Sequence, residues 1–104
     1  MKLALGTVQF GLPYGISNQG GKVIREDVKD ILALSRASGI DTLDTAIAYG
    51  DSEACLGTVG IEGFNIITKL PTIPESVADI GCWVRDQVQA SLHRLGVQTA
   101  YGLL

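Results

Sequence analysis

EDVKDILALSRASGIDTLDT, residues 26–45, is the stretch that decides the fold. Val28, Ile31, Leu32 and Ser35 fall at three-to-four spacing on one helical face, and Gly39 is placed as a stop. Asp41-Thr42-Leu43-Asp44-Thr45 then reads as a strand. A helix that feeds directly into a short apolar strand is one turn of a β/α alternation, and the alternation continues on both sides. Upstream, Lys2 to Val8 is a strand candidate, followed by a loop rich in turn residues: Gly11, Pro13, Gly15, Asn18, Gly20 and Gly21. Downstream comes a polar loop, then a short helix from about Ser52 to Leu56 with Ser52 as its N-cap. Phe64 to Thr68 is β-branched and apolar, a third strand closed off by Pro71 and Pro74. A second long helix carries Ile80, Trp83, Val84, Val88, Leu92 and Leu95 and ends at Gly96. Its Trp83 and the Ile80/Val84/Val88 stripe read as helix-to-sheet packing. Thr99 to Leu104 is a fourth strand.

The order βαβαβαβ implies right-handed crossovers and a parallel sheet. Two architectures accommodate four such strands: an open flavodoxin-like sheet, or the first half of a (β/α)8 barrel. A whole barrel takes about 250 residues, and 104 residues with four strands fit almost half of that. Tyr101-Gly102-Leu103-Leu104 ends the chain on an apolar strand with no covering helix. The expectation is therefore an α/β chain, residues 1–104 forming one partial barrel domain: the amino-terminal half of a TIM barrel, about four βα units, truncated.

Composition narrows the function classes. With 46% hydrophobic and 18% charged residues the chain is globular. A net charge of −3 provides no basic surface for nucleic acid. No apolar run approaches the ~18 residues of a membrane span. The signal-like start at Met1 is interrupted by Gly6, Gln9 and Gly11. Two cysteines, Cys55 and Cys82, make no disulfide framework and read as reduced thiols of a cytoplasmic protein. No Cys, His and carboxylate cluster has metal-ligand spacing. The glycine-rich loop matches neither a dinucleotide fingerprint nor a P-loop, and reads as a substrate-side or turn loop.

Function in a parallel α/β arrangement sits at the carboxyl ends of the strands. Asp44 ends the second strand, Tyr49 follows it, and Lys69 ends the third. A phenol is a weak acid at neutral pH. A neighbouring ammonium stabilises the phenolate, and a carboxylate beside that ammonium holds it in place. Together the three groups make a proton donor for a carbonyl undergoing reduction. The same spacing also fits a loop cap at Asp44, a solvated Lys69 and a packed Tyr49, so residues alone leave two readings open.

Gly39-Ile40-Asp41-Thr42-Leu43-Asp44-Thr45-Ala46, Tyr49-Gly50, Ser52-Glu53 and Leu56-Gly57 together resemble the signature of the aldo-keto reductases. Leu5-Gly6-Thr7 with Phe10-Gly11 is similar to that family's first strand and loop. Ile66-Ile67-Thr68-Lys69 resembles the strand that delivers its catalytic lysine, and Ser91 to Val97 the end of its third helix. Gly11 to Asn18 resembles a bacterial, short-looped branch. The resemblance runs over essentially the whole chain. It implies an oxidoreductase that reduces an aldehyde or ketone to an alcohol. Tyr49 is then the general acid, Lys69 stabilises its phenolate and Asp44 pairs with Lys69. It further implies a nicotinamide cofactor, NADPH with NADH as the alternative, lying near Gly6 and Thr7. Glu53 is expected either to hydrogen-bond near the cofactor ring or to be solvated.

Two departures from the family pattern bear on activity. The family's catalytic histidine follows the fourth strand and would be the residue after Leu104. His93, in the last turn of the third helix, reads as solvated and does not replace it. The strands and loops that hold the cofactor's diphosphate and adenosine are also absent. The chain alone is therefore expected to be inactive. Its partner in the parent enzyme is a small carbonyl substrate, with no nucleic acid and no membrane. The alternatives are a non-catalytic half-barrel that acts by self-association or by association with another chain, and an unrelated open α/β binding domain.

Overall fold

Four parallel strands lie side by side in chain order, β1 (Ala4–Gly6), β2 (Thr42–Asp44), β3 (Asn65–Thr68) and β4 (Gly102–Leu103). Helices α1 (Arg25–Ala37), α2 (Ser52–Val59) and α3 (Ile80–Leu95) form the crossovers. The computed structural model describes residues 2–16 and 18–104. Met1, where the signal-like start begins, and Ser17 of the glycine-rich loop lie outside the described residues.

The sequential strand order excludes the open flavodoxin-like sheet. That fold places its first strand inside the sheet, at the point where the order reverses. Here β1 is an edge, and each strand pairs with its successor, Leu5 opposite Leu43 and Leu43 opposite Ile66. Burial alternates along the strands as the pleat requires. Leu43 and Ile66 are buried, whereas Asp44 and Ile67 on the other face are only half-buried. The buried face joins Val28 and Leu32 of α1, Cys55 and Leu56 of α2, and Leu95 of α3 in one core cluster. All three helices thus cover the same face and leave the other open, which is the arrangement of a barrel wall. Burial of each of these leucines contributes about 1.5–3 kcal/mol.

Strand ends are shorter than the apolar runs suggest. The run from Lys2 to Val8 pairs only over Ala4–Gly6, because the chain turns at once into a 3-10 helix, Val8–Phe10, that buries Phe10. The α3 stripe is corrected as well. Ile80 is 56% exposed, and the fully buried positions of α3 are Ser91 and Leu95. This helix packs chiefly on α2 rather than laying its first turns on the sheet. Gly57 makes the close approach between them: a Cβ there would overlap the Arg94 carbonyl oxygen. Asp79 caps α3 by accepting from the Cys82 backbone N–H at 2.9 Å. Gly96 ends it in the left-handed conformation, φ 68°.

Candidate active site

The strand ends bring together residues far apart in sequence. Asp44 is the last residue of β2, and Lys69 follows the last residue of β3. The Lys69 ammonium pairs with Asp44 Oδ1 and also donates to the Thr45 carbonyl at 2.9 Å. It lies over the Tyr49 ring, 5.2 Å from its centroid. Asp44, Lys69 and half-buried Tyr49 therefore occupy one site, on the open face at the carboxyl edge of the sheet.

Local backbone chemistry explains why Tyr49 sits there. Its N–H donates to the Ala46 carbonyl at 3.1 Å, and its own carbonyl accepts from the Ser52 N–H at 3.0 Å, closing two successive turns. Gly11 packs directly beneath this loop, where a Cβ would overlap the Tyr49 carbonyl oxygen. Gly50 takes φ 54°, with the Gly11 carbonyl close by. A glycine on each side lets the β1 loop and the Tyr49 loop meet backbone to backbone.

Thr7 and Gly6 behave differently. Thr7 is fully buried; its N–H and hydroxyl both donate to the Asp44 carbonyl, at 3.0 and 2.9 Å. Ser52 Oγ lies 3.0 Å from Thr7 Oγ1 and 3.0 Å from Thr45 Oγ1. The Thr7 side chain thus ties β1 to β2 inside the molecule. Gly6 is exposed, with no atom within 4 Å of where a Cβ would stand. It leaves bare backbone beside the Asp44 strand end.

Ser52 is not the N-cap of α2. Asp51 occupies that position without a side-chain cap bond, and Ser52 is the first helical residue, its hydroxyl committed to Thr7 and Thr45. Glu53 is not the solvated residue that one expectation made it. It is 1% exposed, neither solvated nor on the open face. Its carboxylate accepts from Thr68 Oγ1 at 2.9 Å, from Ser91 Oγ, and from Arg94 Nε and Nη2 at 3.0 and 2.7 Å. Spacing along the chain carries no signal for this network. Ser91 and Arg94 lie 38 and 41 residues from Glu53, and only the packing of α3 on α2 unites them.

Other candidates stay away from the site. His93 is exposed in the last turn of α3. Cys55 is buried and Cys82 exposed, both as free thiols. A cleft of about 470 Å³ between segment 22–25 and α2 is lined by Phe10, Lys22, Arg25, Asp51 and Cys55, and includes none of Asp44, Tyr49 and Lys69. Among the described residues no three His, Cys, Asp or Glu side chains gather as metal ligands. No helix among them is long and apolar enough to cross a membrane.

The profile of the aldo/keto reductase family matches residues 2–103. The chain belongs to that family. Two solved structures of proteins from Pseudomonas aeruginosa assigned as aldo-keto reductases are similar to it, at 35% identity with a TM-score of 0.80 and at 34% with 0.77. Each match covers 97% of this chain, and 40% and 39% of those chains. An aldo-keto reductase from Bacillus halodurans in its holo form shares the fold, with a TM-score of 0.69 at 18% identity, over 95% of this chain and 33% of that one. No curated protein matches the chain. The chain thus spans about two fifths of the length of the Pseudomonas structures. Its four strands correspond to the amino-terminal half of the aldo/keto reductase (β/α)8 barrel.

Proposed function

We propose that the chain carries the proton-delivery half of an NADPH-dependent oxidoreductase, with NADH the alternative, that reduces an aldehyde or ketone to an alcohol. The observation that supports this reading is the Lys69 ammonium held between the Asp44 carboxylate and the Tyr49 ring. The reduced nicotinamide, when bound, supplies the hydride that adds to the carbonyl carbon. Tyr49 donates its phenolic proton to the carbonyl oxygen as charge develops there. Two of the three Lys69 N–H donors are used, on Asp44 and on the Thr45 carbonyl, and the third is left for the phenolate oxygen. Asp44 keeps the ammonium aimed, so that negative charge on Tyr49 is met by a cation already in place.

In this reading the cofactor's ring lies at Gly6, a placement supported by the bare, exposed backbone beside the site. The Thr7 side chain is bonded to Asp44 and Ser52. Its contribution is to fix the β1 end on which Gly6 stands. The free thiols Cys55 and Cys82 fit a cytoplasmic protein.

The test is a hybrid in which this chain replaces the matching 40% of the Pseudomonas aeruginosa relative. The hybrid should oxidise NADPH in the presence of a generic aldehyde, and Lys69→Met should lower kcat with cofactor affinity nearly unchanged. A Lys69→Met hybrid of undiminished kcat would remove the lysine from this role.

A second reading is a non-catalytic half-barrel that acts by association with another copy or another chain. It is favoured by the outer edges of β1 and β4, which pair with no strand among the described residues.

A further inference from the structure

Glu53 is a fully buried carboxylate that the proton-delivery step does not use. Four donors converge on it from two other elements: Thr68 from β3, and Ser91 and the Nε and Nη2 of Arg94 from α3. A buried carboxylate is costly unless charged and hydrogen-bonded partners compensate it, and Glu53 has both. One of its oxygens is spent on Arg94. The other receives two hydroxyls, and the Thr68 hydroxyl belongs to the residue immediately before Lys69.

Strand geometry makes that bond consequential. Successive side chains of β3 point to opposite faces. Thr68 therefore points into the helices, where Glu53 holds it, and Lys69 points to the open face, where Asp44 and Tyr49 lie. A rotation of the strand end that carried Lys69 away from Tyr49 would pull Thr68 off Glu53. Ser52, the preceding residue, contacts Thr7 and Thr45, and its N–H is bonded to the Tyr49 carbonyl. The first turn of α2 thus grips all three of the strand ends that frame the site.

We propose that Glu53 is a positioning residue: oriented by Arg94, it clamps Thr68 and so fixes the strand end that presents Lys69 to Tyr49. This rests on the reading of Tyr49 and Lys69 given above, but the experiment reads the placement of Lys69 rather than catalysis.

The chain has four lysines, Lys2, Lys22, Lys29 and Lys69, so trace acetylation followed by mass spectrometry gives the reactivity of Lys69 relative to Lys29 in one sample. Thr68→Val removes the hydroxyl and keeps the shape. It should raise the Lys69/Lys29 ratio about two- to tenfold, the range that a lost hydrogen bond produces, and Thr68→Ser should restore it. Glu53→Gln should raise the ratio in the same direction, with the circular dichroism spectrum retained. A merely structural role would lower the melting temperature and leave the ratio in the folded state unchanged. An unchanged ratio in folded Thr68→Val, or a raised ratio that Thr68→Ser fails to restore, overturns the clamp. Should Glu53→Gln fail to fold, the Thr68 pair decides alone. A catalytically silent Tyr49 in the hybrid would sink the proposed reaction and leave this ratio unaffected.

Discussion

Lys69 and Tyr49, 20 positions apart by their numbers, meet with the ammonium 5.2 Å from the centre of the phenol ring. Neither residue sits in a strand. Lys69 is the first residue past β3, and Tyr49 lies in the turn between β2 and α2. The meeting is enforced from outside the pair. Asp44 and the Thr45 carbonyl hold the lysine, while Gly11 and the Ser52 N–H hold the tyrosine loop. The site is thus a product of barrel-wall geometry, in which consecutive parallel strands deliver their carboxyl ends to one edge.

Gly57→Ala should destabilise the fold. The added methyl would overlap the Arg94 carbonyl where α2 meets α3, and overpacking of this kind costs about 1–3 kcal/mol. Urea denaturation followed by circular dichroism measures it. A midpoint equal to that of the unaltered chain would show that the two helices separate without cost.

The 104-residue chain by itself should neither bind NADPH tightly nor reduce carbonyls. Transfer of a hydride needs the nicotinamide held at contact distance from the substrate, and the chain spans only about two fifths of the length of the Pseudomonas structures. Calorimetry with NADPH and an aldehyde turnover assay check this. Micromolar binding, or turnover above the buffer rate, would contradict it.

The fold was legible in the sequence wherever the signal is local. Gly96 stops α3 as its position indicates, and the strand–helix alternation needs only neighbouring residues. The convergence of Asp44, Tyr49 and Lys69 follows from their places at or beyond strand ends, but spacing left their role open, and only the resemblance to the aldo-keto reductases pointed to proton delivery. Glu53 was not legible. Its partners are brought in by α3, and nothing in the short helix distinguishes a buried carboxylate from a solvated one. Ser52 misled for a related reason: a serine before an apolar run resembles an N-cap, but tertiary contact with Thr7 claimed its hydroxyl. Ile80 stayed exposed because α3 leans on α2, which helical periodicity alone cannot report.

Self-association is expected of the 104-residue chain in solution. Among the described residues the outer edges of β1 and β4 pair with no strand, and Leu3, Tyr101, Leu103 and Leu104 are exposed around them. A net charge of −3 provides little repulsion. Light scattering at micromolar concentration should report dimers or larger species. A stable monomer of 11.0 kDa would contradict this expectation.

The central claim is that Tyr49 delivers the proton, and Tyr49→Phe in the hybrid with the Pseudomonas aeruginosa relative tests it most directly. The substitution removes one hydroxyl and keeps the ring that faces Lys69. Positioned acid catalysis contributes about 10²–10⁴ in rate, so kcat should fall by that factor while NADPH affinity stays nearly the same. A Tyr49→Phe hybrid that keeps most of its kcat would contradict the assignment.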